Sequence, residues 1–111
     1  MEKTVLWSKD AQDDLIEIVY YIKEKSGSKI AKTIYNRIID KINNSISFPE
    51  SHRVVPELSE IGVRDIKEII DPPWRIFYRI SDSEIKILSI IDGRRNIEDI
   101  LYRKMIDGKL K

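Results

Sequence analysis

The segment Ile66–Arg95, IKEIIDPPWRIFYRISDSEIKILSIIDGRR, concentrates the residues of this chain that could do chemistry. Its middle run alternates, which puts Arg75 and Arg79 on one strand face with Phe77, and Trp74, Ile76, Tyr78 and Ile80 on the other. Its last run ends in a paired Arg94-Arg95. A guanidinium is a permanent cation with a planar fork of donors, the geometry that phosphate and carboxylate oxygens accept. The chemistry these residues suggest is therefore the holding of an anion, phosphate above all. Arg64 and Lys67 add cations at the start of the segment, although Asp65 and Glu68 crowd the same stretch and oppose phosphate binding. The same arginines also fit a plainer role. Arg75 and Arg79 suit a solvated strand face paired with Glu68 or Glu84, and Arg94 and Arg95 suit caps at the end of a sheet.

Other chemistries find little support. The chain has no cysteine, which removes disulfides and thiolate metal sites, and its one histidine, His52, cannot form a histidine-based zinc site alone. No metal and no cofactor is expected. Asp10, Asp13, Asp14 and Glu17 lie together but lack a second ligand group, and a helix dipole with solvent accounts for them. The 111 residues fit one domain, residues 1–111, and the net charge of +1 gives no overall signature for nucleic acid. The distribution is uneven: residues 49–92 carry six basic and nine acidic side chains, whereas residues 93–111 carry six and three. A phosphate-facing surface would thus be local and near the C-terminal end. The start, Met1–Leu6, has no long apolar core of the kind a signal peptide needs, and no apolar run approaches the roughly 20 residues of a membrane span. The expectation is a cytoplasmic protein with no membrane partner.

The elements that must position these residues follow from periodicity. Thr4–Trp7 is short and β-prone. Ser8 suits an N-cap, and Ala11, Leu15, Ile18, Val19 and Ile22 predict an amphipathic helix over 9–25. Ser26-Gly27 stops it, and Ser28 is expected to cap a second helix along Ile30, Ala31, Ile34, Ile38, Ile42 and Ile46 that ends at Phe48-Pro49. So short a link predicts an antiparallel helical hairpin. Residues 49–62 read as a loop with one helical turn around Pro56–Ile61. Three strands come next, Ile66–Ile70, Trp74–Ile80 and Ile85–Ile91, the last apolar on both faces as a central strand would be. Asn96 caps a tail helix with the stripe Ile97, Ile100, Leu101 and Met105, and Gly108 suits its stop. The order β-α-α-β-β-β-α predicts an α+β fold, the hairpin packed on a mainly antiparallel four-stranded sheet. Trp74 and Tyr78 belong to its core. Tyr20, Tyr21 and Tyr35 fall at a core edge or a partner surface.

This order resembles the RelE/ParE family of toxins from type II toxin–antitoxin pairs, also described as plasmid-stabilisation proteins. The matching pieces are Trp7-Ser8 with Ala11 and Asp14-Leu15, Phe48-Pro49 with Pro56-Glu57-Leu58, Lys67-Glu68-Ile69, Trp74-Arg75-Ile76-Phe77-Tyr78-Arg79 and Ile91-Asp92-Gly93-Arg94-Arg95. The resemblance covers roughly residues 4–105. The resemblance implies one of two activities. RelE-like members are ribosome-dependent endoribonucleases that cut mRNA, and ParE-like members share the fold and inhibit DNA gyrase. Cleavage by the 2′-hydroxyl needs a base, cations for the phosphorane and an acid for the 5′-oxygen. On the nuclease reading, carried here as the main expectation, Arg75 would hold the scissile phosphate, and Arg95 would act at the leaving oxygen. Lys67 lies on the basic strand. Tyr102 stands beside Leu101, where an ungapped match puts the family's tail-helix tyrosine. Arg64, Arg79 and Arg94 would help bind the substrate. The partners would be the ribosome and mRNA, or DNA gyrase in the alternative. In either case a cognate antitoxin is expected to dock on Phe77 and on the tyrosines and isoleucines of the hairpin, and to cover the Arg75–Arg95 surface or displace the tail helix from it.

Overall fold

A computed structural model describes residues 3–111; Met1 and Glu2, at the polar start of the chain, lie outside the described residues. The chain runs β1 (Thr4–Trp7), α1 (Lys9–Ser26), α2 (Ser28–Ser45), a 3-10 turn (Pro49–Ser51), α3 (Pro56–Ser59), β2 (Ile66–Asp71), β3 (Trp74–Ile80), β4 (Glu84–Asp92) and α4 (Ile97–Ile106). This is the expected α+β order, with α3 as the helical turn inside the loop. The sheet order is β1-β4-β3-β2. Strands β2, β3 and β4 pair antiparallel, and β1 lies parallel beside β4, whose central position explains its two apolar faces. Among the described residues, no helix is long and apolar enough to cross a membrane.

Local chemistry sets the element ends. The Ser8 hydroxyl accepts from the Ala11 amide at 3.0 Å and donates to the Leu88 carbonyl at 3.1 Å, capping α1 and tying it to β4. Gly27 joins α1 to α2 by itself at φ +93°, a backbone that favours glycine, and Ser28 is the first residue of α2 rather than its cap. The Asn96 side chain accepts from the Asp99 amide at 3.2 Å and starts α4.

Two cores sandwich the sheet. The hairpin buries Ala11, Leu15, Ile38 and Ile42 against Ile69, Ile76, Tyr78, Ile85, Ile87 and Ile90. The opposite face carries a second core, in which Val55, Leu58, Ile97, Leu101 and Leu110 cover Ile66, Phe77, Leu88 and Ile91. This corrects the expectation that Phe77 is an exposed docking residue: it is 0% accessible, because α3, α4 and the tail form a layer over that face. A register shift between Phe77 and Tyr78 inserts one extra residue on β4. It lets β4 feed Ile87 and Ile90 to the hairpin and Leu88 and Ile91 to the second core. Ile30 and Met105, expected in apolar stripes, are exposed, whereas Leu101 is fully buried.

Both strand edges near the site are covered. Segment 53–55 pairs with the outer edge of β2 through Val55 N to Ile66 O at 3.1 Å and Glu68 N to Arg53 O at 3.0 Å. Beyond the end of β1, the Ile90 amide of β4 donates to the Asp14 carboxylate at 2.9 Å. Buried backbone donors thus find partners where the ladder stops.

Candidate functional site

Strand β3 projects Arg75 onto the second face of the sheet, in register with Ile70 of β2 and Ile91 of β4. The guanidinium is largely shut off from solvent. Its Nε donates to Glu68 Oε1 at 2.6 Å, and its two terminal nitrogens donate to the two Glu57 oxygens at 2.9 Å each, a bidentate pair. The second Glu68 oxygen accepts from Arg53 Nε at 2.5 Å. The Arg75 side chain is 13% exposed and that of Glu68 0%. The guanidinium carbon also stands 5.4 Å from the centre of the Phe77 ring, a cation–π contact. Four charged side chains from β2, β3, α3 and the loop before it therefore neutralise one another above the second core. Gly93 closes the arrangement. A Cβ there would stand 3.2 Å from the Arg75 stem and 3.2 Å from the Pro73 carbonyl, which already accepts the Gly93 amide at 2.7 Å.

The pairing sets the protonation states. The Arg75 hydrogen bonds hold the Glu57 carboxyl below its ordinary value of 4.5, and the Glu57 and Glu68 bonds push the Arg75 guanidinium further up. Glu57 has a lower pKa folded than unfolded, so its contribution to stability is complete above about pH 4.5 and is lost as the pH falls through its folded value. Asp14 has the opposite sign. Burial raises its pKa despite bonds from Ser89 and Ile90, so its contribution falls as the pH rises from 3.8 toward the raised value. Acid titration of Glu57→Gln beside the native chain should therefore give a shallower loss of stability below about pH 4.5. Parallel curves would remove Glu57 from the acid response.

The other candidate residues occupy separate places. Lys67 donates to the His52 carbonyl at 2.9 Å, and His52 lies 3.2 Å from the Ser45 carbonyl, so both secure the loop. Lys67 and Arg64 line a cleft of about 300 Å³ with Lys3, Glu50 and Asp65. Arg79 Nε is 2.8 Å from Asp65, a charge contact in which the N–H is not aligned on the oxygen. Glu84, named as a partner for Arg79, is not the one it uses. Exposed Arg94 doubles back onto Asp92 at 2.6 Å. Arg95 has no ion-pair partner among the described residues and lines a cleft of about 560 Å³ between α1 and α4, which also carries Asp10, Asp13, Asp14 and Glu17. Tyr102, on α4, has its phenol raised by desolvation and by the nearby carboxylates of Glu98, Glu60 and Glu57, which disfavour a phenolate.

The structure thus puts Tyr102 on α4, the helix that packs against α3, which carries Glu57. It leaves Arg64 and Lys67 at a second place and Arg95 at a third. Sequence reading named Glu68 as a possible partner of Arg75 and missed Glu57 and Arg53. The signal within reach was Glu68 itself, two residues from Ile66 and hence on the same strand face as a core residue. It also assigned Asp10 and Asp14 to dipole and solvent, whereas the Lys104 ammonium sits against both.

Comparison with known proteins gives the chain relatives in sequence and fold. The family described as "ParE toxin of type II toxin-antitoxin system, parDE" matches residues 5–97. Toxin ParE3 of Caulobacter vibrioides is 29% identical over 100 residues, covering 90% of this chain and 96% of that protein. A solved structure described as the chromosomal ParDE TA system from P. aeruginosa superposes with a TM-score of 0.68 at 18% identity, covering 81% of this chain and 95% of that one. At that identity it supports the fold.

Proposed function

This chain belongs to the ParE toxin family of type II toxin–antitoxin systems, and from that membership we propose that it inhibits DNA gyrase and is neutralised by a cognate antitoxin on its helical hairpin. The gyrase reading was the alternative at the level of sequence. The observation that carries it over mRNA cleavage is the state of Arg75. The guanidinium offered for the scissile phosphate is already saturated by two carboxylates, one of them fully buried. A phosphate would have to displace Glu57 and leave charge uncompensated beside the core, at a cost of several kcal/mol. Tyr102 adds to this, since desolvation and the charges of Glu98, Glu60 and Glu57 raise its phenol and disfavour the phenolate of a base. Lys67, tied to a backbone carbonyl, and Arg95, in a cleft with acids, do not face Arg75's anion site. We read Arg75 and Lys67 as structural and leave exposed Arg95, without an ion pair among the described residues, and exposed Arg94, paired only with Asp92 two residues away, as the cations that meet a target.

For the antitoxin, the Arg75 side is closed by α3 and α4, while the hairpin is open. Ile16 is 64% and Tyr20 60% exposed, and with Leu15, Val19, Tyr35 and Lys23 they line an apolar cleft of about 260 Å³. Scattered exposed hydrophobes mean little, but a contiguous cleft with aromatic walls fits the apolar stripe of a helical segment.

One set of assays tests both parts. Purified chain should stop gyrase supercoiling and leave mRNA on programmed ribosomes intact. A cognate antitoxin should restore supercoiling, and an Ile16→Asp variant that still inhibits gyrase should escape that rescue by at least about tenfold in antitoxin concentration. Ribosome-dependent cutting with supercoiling untouched would overturn the gyrase reading, and unchanged rescue of Ile16→Asp would overturn the hairpin dock.

A further inference from the structure

The match to the family ends at residue 97, the first residue of α4. The C-terminal segment beyond it nonetheless covers the second sheet face. Leu101 and Leu110 are buried over Phe77, Leu88 and Ile91. The tail turns back at Gly108, whose φ of +75° favours glycine, with the Lys109 amide on the Lys104 carbonyl at 2.8 Å. Its last residue is held where Lys86 Nζ donates to the Lys111 carbonyl at 2.8 Å.

The ion pairs of this segment converge on one place. Lys104 Nζ donates to Asp10 Oδ2 and lies 3.5 Å from Asp14 Oδ1, and Lys109 Nζ approaches Asp10 at 3.7 Å. Asp14 is fixed from the other side by the Ser89 hydroxyl at 2.6 Å and the Ile90 amide at 2.9 Å. The Lys104 side chain is 14% exposed and its two partners 15% and 17%, so solvent screens this contact far less than a surface pair. Asp13, by contrast, pairs with exposed Lys9 along α1. The Lys104 ammonium, with the longer Lys109 contact beside it, therefore joins the tail segment to α1, and through Asp14 to the edge of β4.

We infer that residues 97–111 form a strap that undocks from the second sheet face as a unit while the rest of the domain stays folded, and that Lys104, seated between Asp10 and Asp14, is its latch. Opening exposes Phe77, Leu88 and Ile91 without breaking the sheet or the hairpin core, since neither the β1–β4 ladder nor the packing of α1 and α2 passes through α4. Local opening of such a unit requires less free energy than global unfolding.

Hydrogen exchange on the whole chain tests this, comparing the native protein with Lys104→Met and with Lys9→Met as the exposed-pair control. In Lys104→Met, amides of Leu101–Ile106 should exchange on the order of tenfold faster or more, while the central amides of α1, α2 and β3 keep their native rates. Asp14→Asn, which retains an oxygen for Ser89 and Ile90 but loses the charge facing Lys104, should move the same amides in the same direction. Lys9→Met should move none of them. Equal acceleration throughout the chain, no change in α4, or a Lys104→Met protein that does not fold would each overturn the inference.

Discussion

Arg75→Ala is expected to destabilise the domain by about 3–5 kcal/mol, a large share of the roughly 5–15 kcal/mol that holds a small domain together. The loss comes from the groups left without their partner. Glu68, with no exposed side-chain surface, keeps Arg53 but loses its second partner, and Glu57 loses both of its bonds. The aliphatic stem packed beside Gly93 is lost as well. Urea titration followed by circular dichroism would measure the effect. A compensated variant, Arg75→Met with Glu57→Gln and Glu68→Leu, should recover much of the stability, because it removes the buried charges together with their partner. An Arg75→Ala protein within about 1 kcal/mol of the native chain and yet inactive would refute the structural assignment and return Arg75 to a functional role.

Phe77→Ala is expected to cost about 3–5 kcal/mol by the same measurement. The ring is fully buried between α3, α4 and the sheet, and the cavity left would lie beside Leu88 and under the covering layer that includes Leu101. The exposed position expected from strand alternation would make the same substitution nearly neutral, so a cost below about 1 kcal/mol would show that the second layer does not cover this face. The two substitutions should not add. Arg75 stacks on Phe77 at 5.4 Å, and residues in contact share part of their energy.

How far this was legible depended on the range of the interactions. The caps at Ser8 and Asn96 and the stop at Gly27 act within a few residues, and they lie where a reading of the chain puts them. The apolar runs on both faces of β4 marked it as a central strand, which the sheet order bears out. The α4 stripe was legible in Ile97 and Leu101 and misleading at Met105, since the helix turns that side to solvent. Leu110, beyond the helix, entered the second core unannounced, because its burial depends on a return of the chain at Gly108.

The sequence by itself determined the element order, the α+β class, the family and which residues share each face of β3. Those arise from periods of 2 and 3.6 and from local capping. Whether a face is wet or dry was decided only in the tertiary structure. Alternation puts Arg75, Phe77 and Arg79 together but carries no information on what lies above them. The layer of α3, α4 and the tail turned Phe77 into core, supplied Glu57 from 18 residues away for Arg75, and brought Lys104 across 94 residues to Asp10. A charge reads as an exposed binding group until the fold shows that its counter-ion is already present. That long-range pairing, invisible to local pattern, is what turned the arginine of β3 from a candidate for phosphate into part of the scaffold.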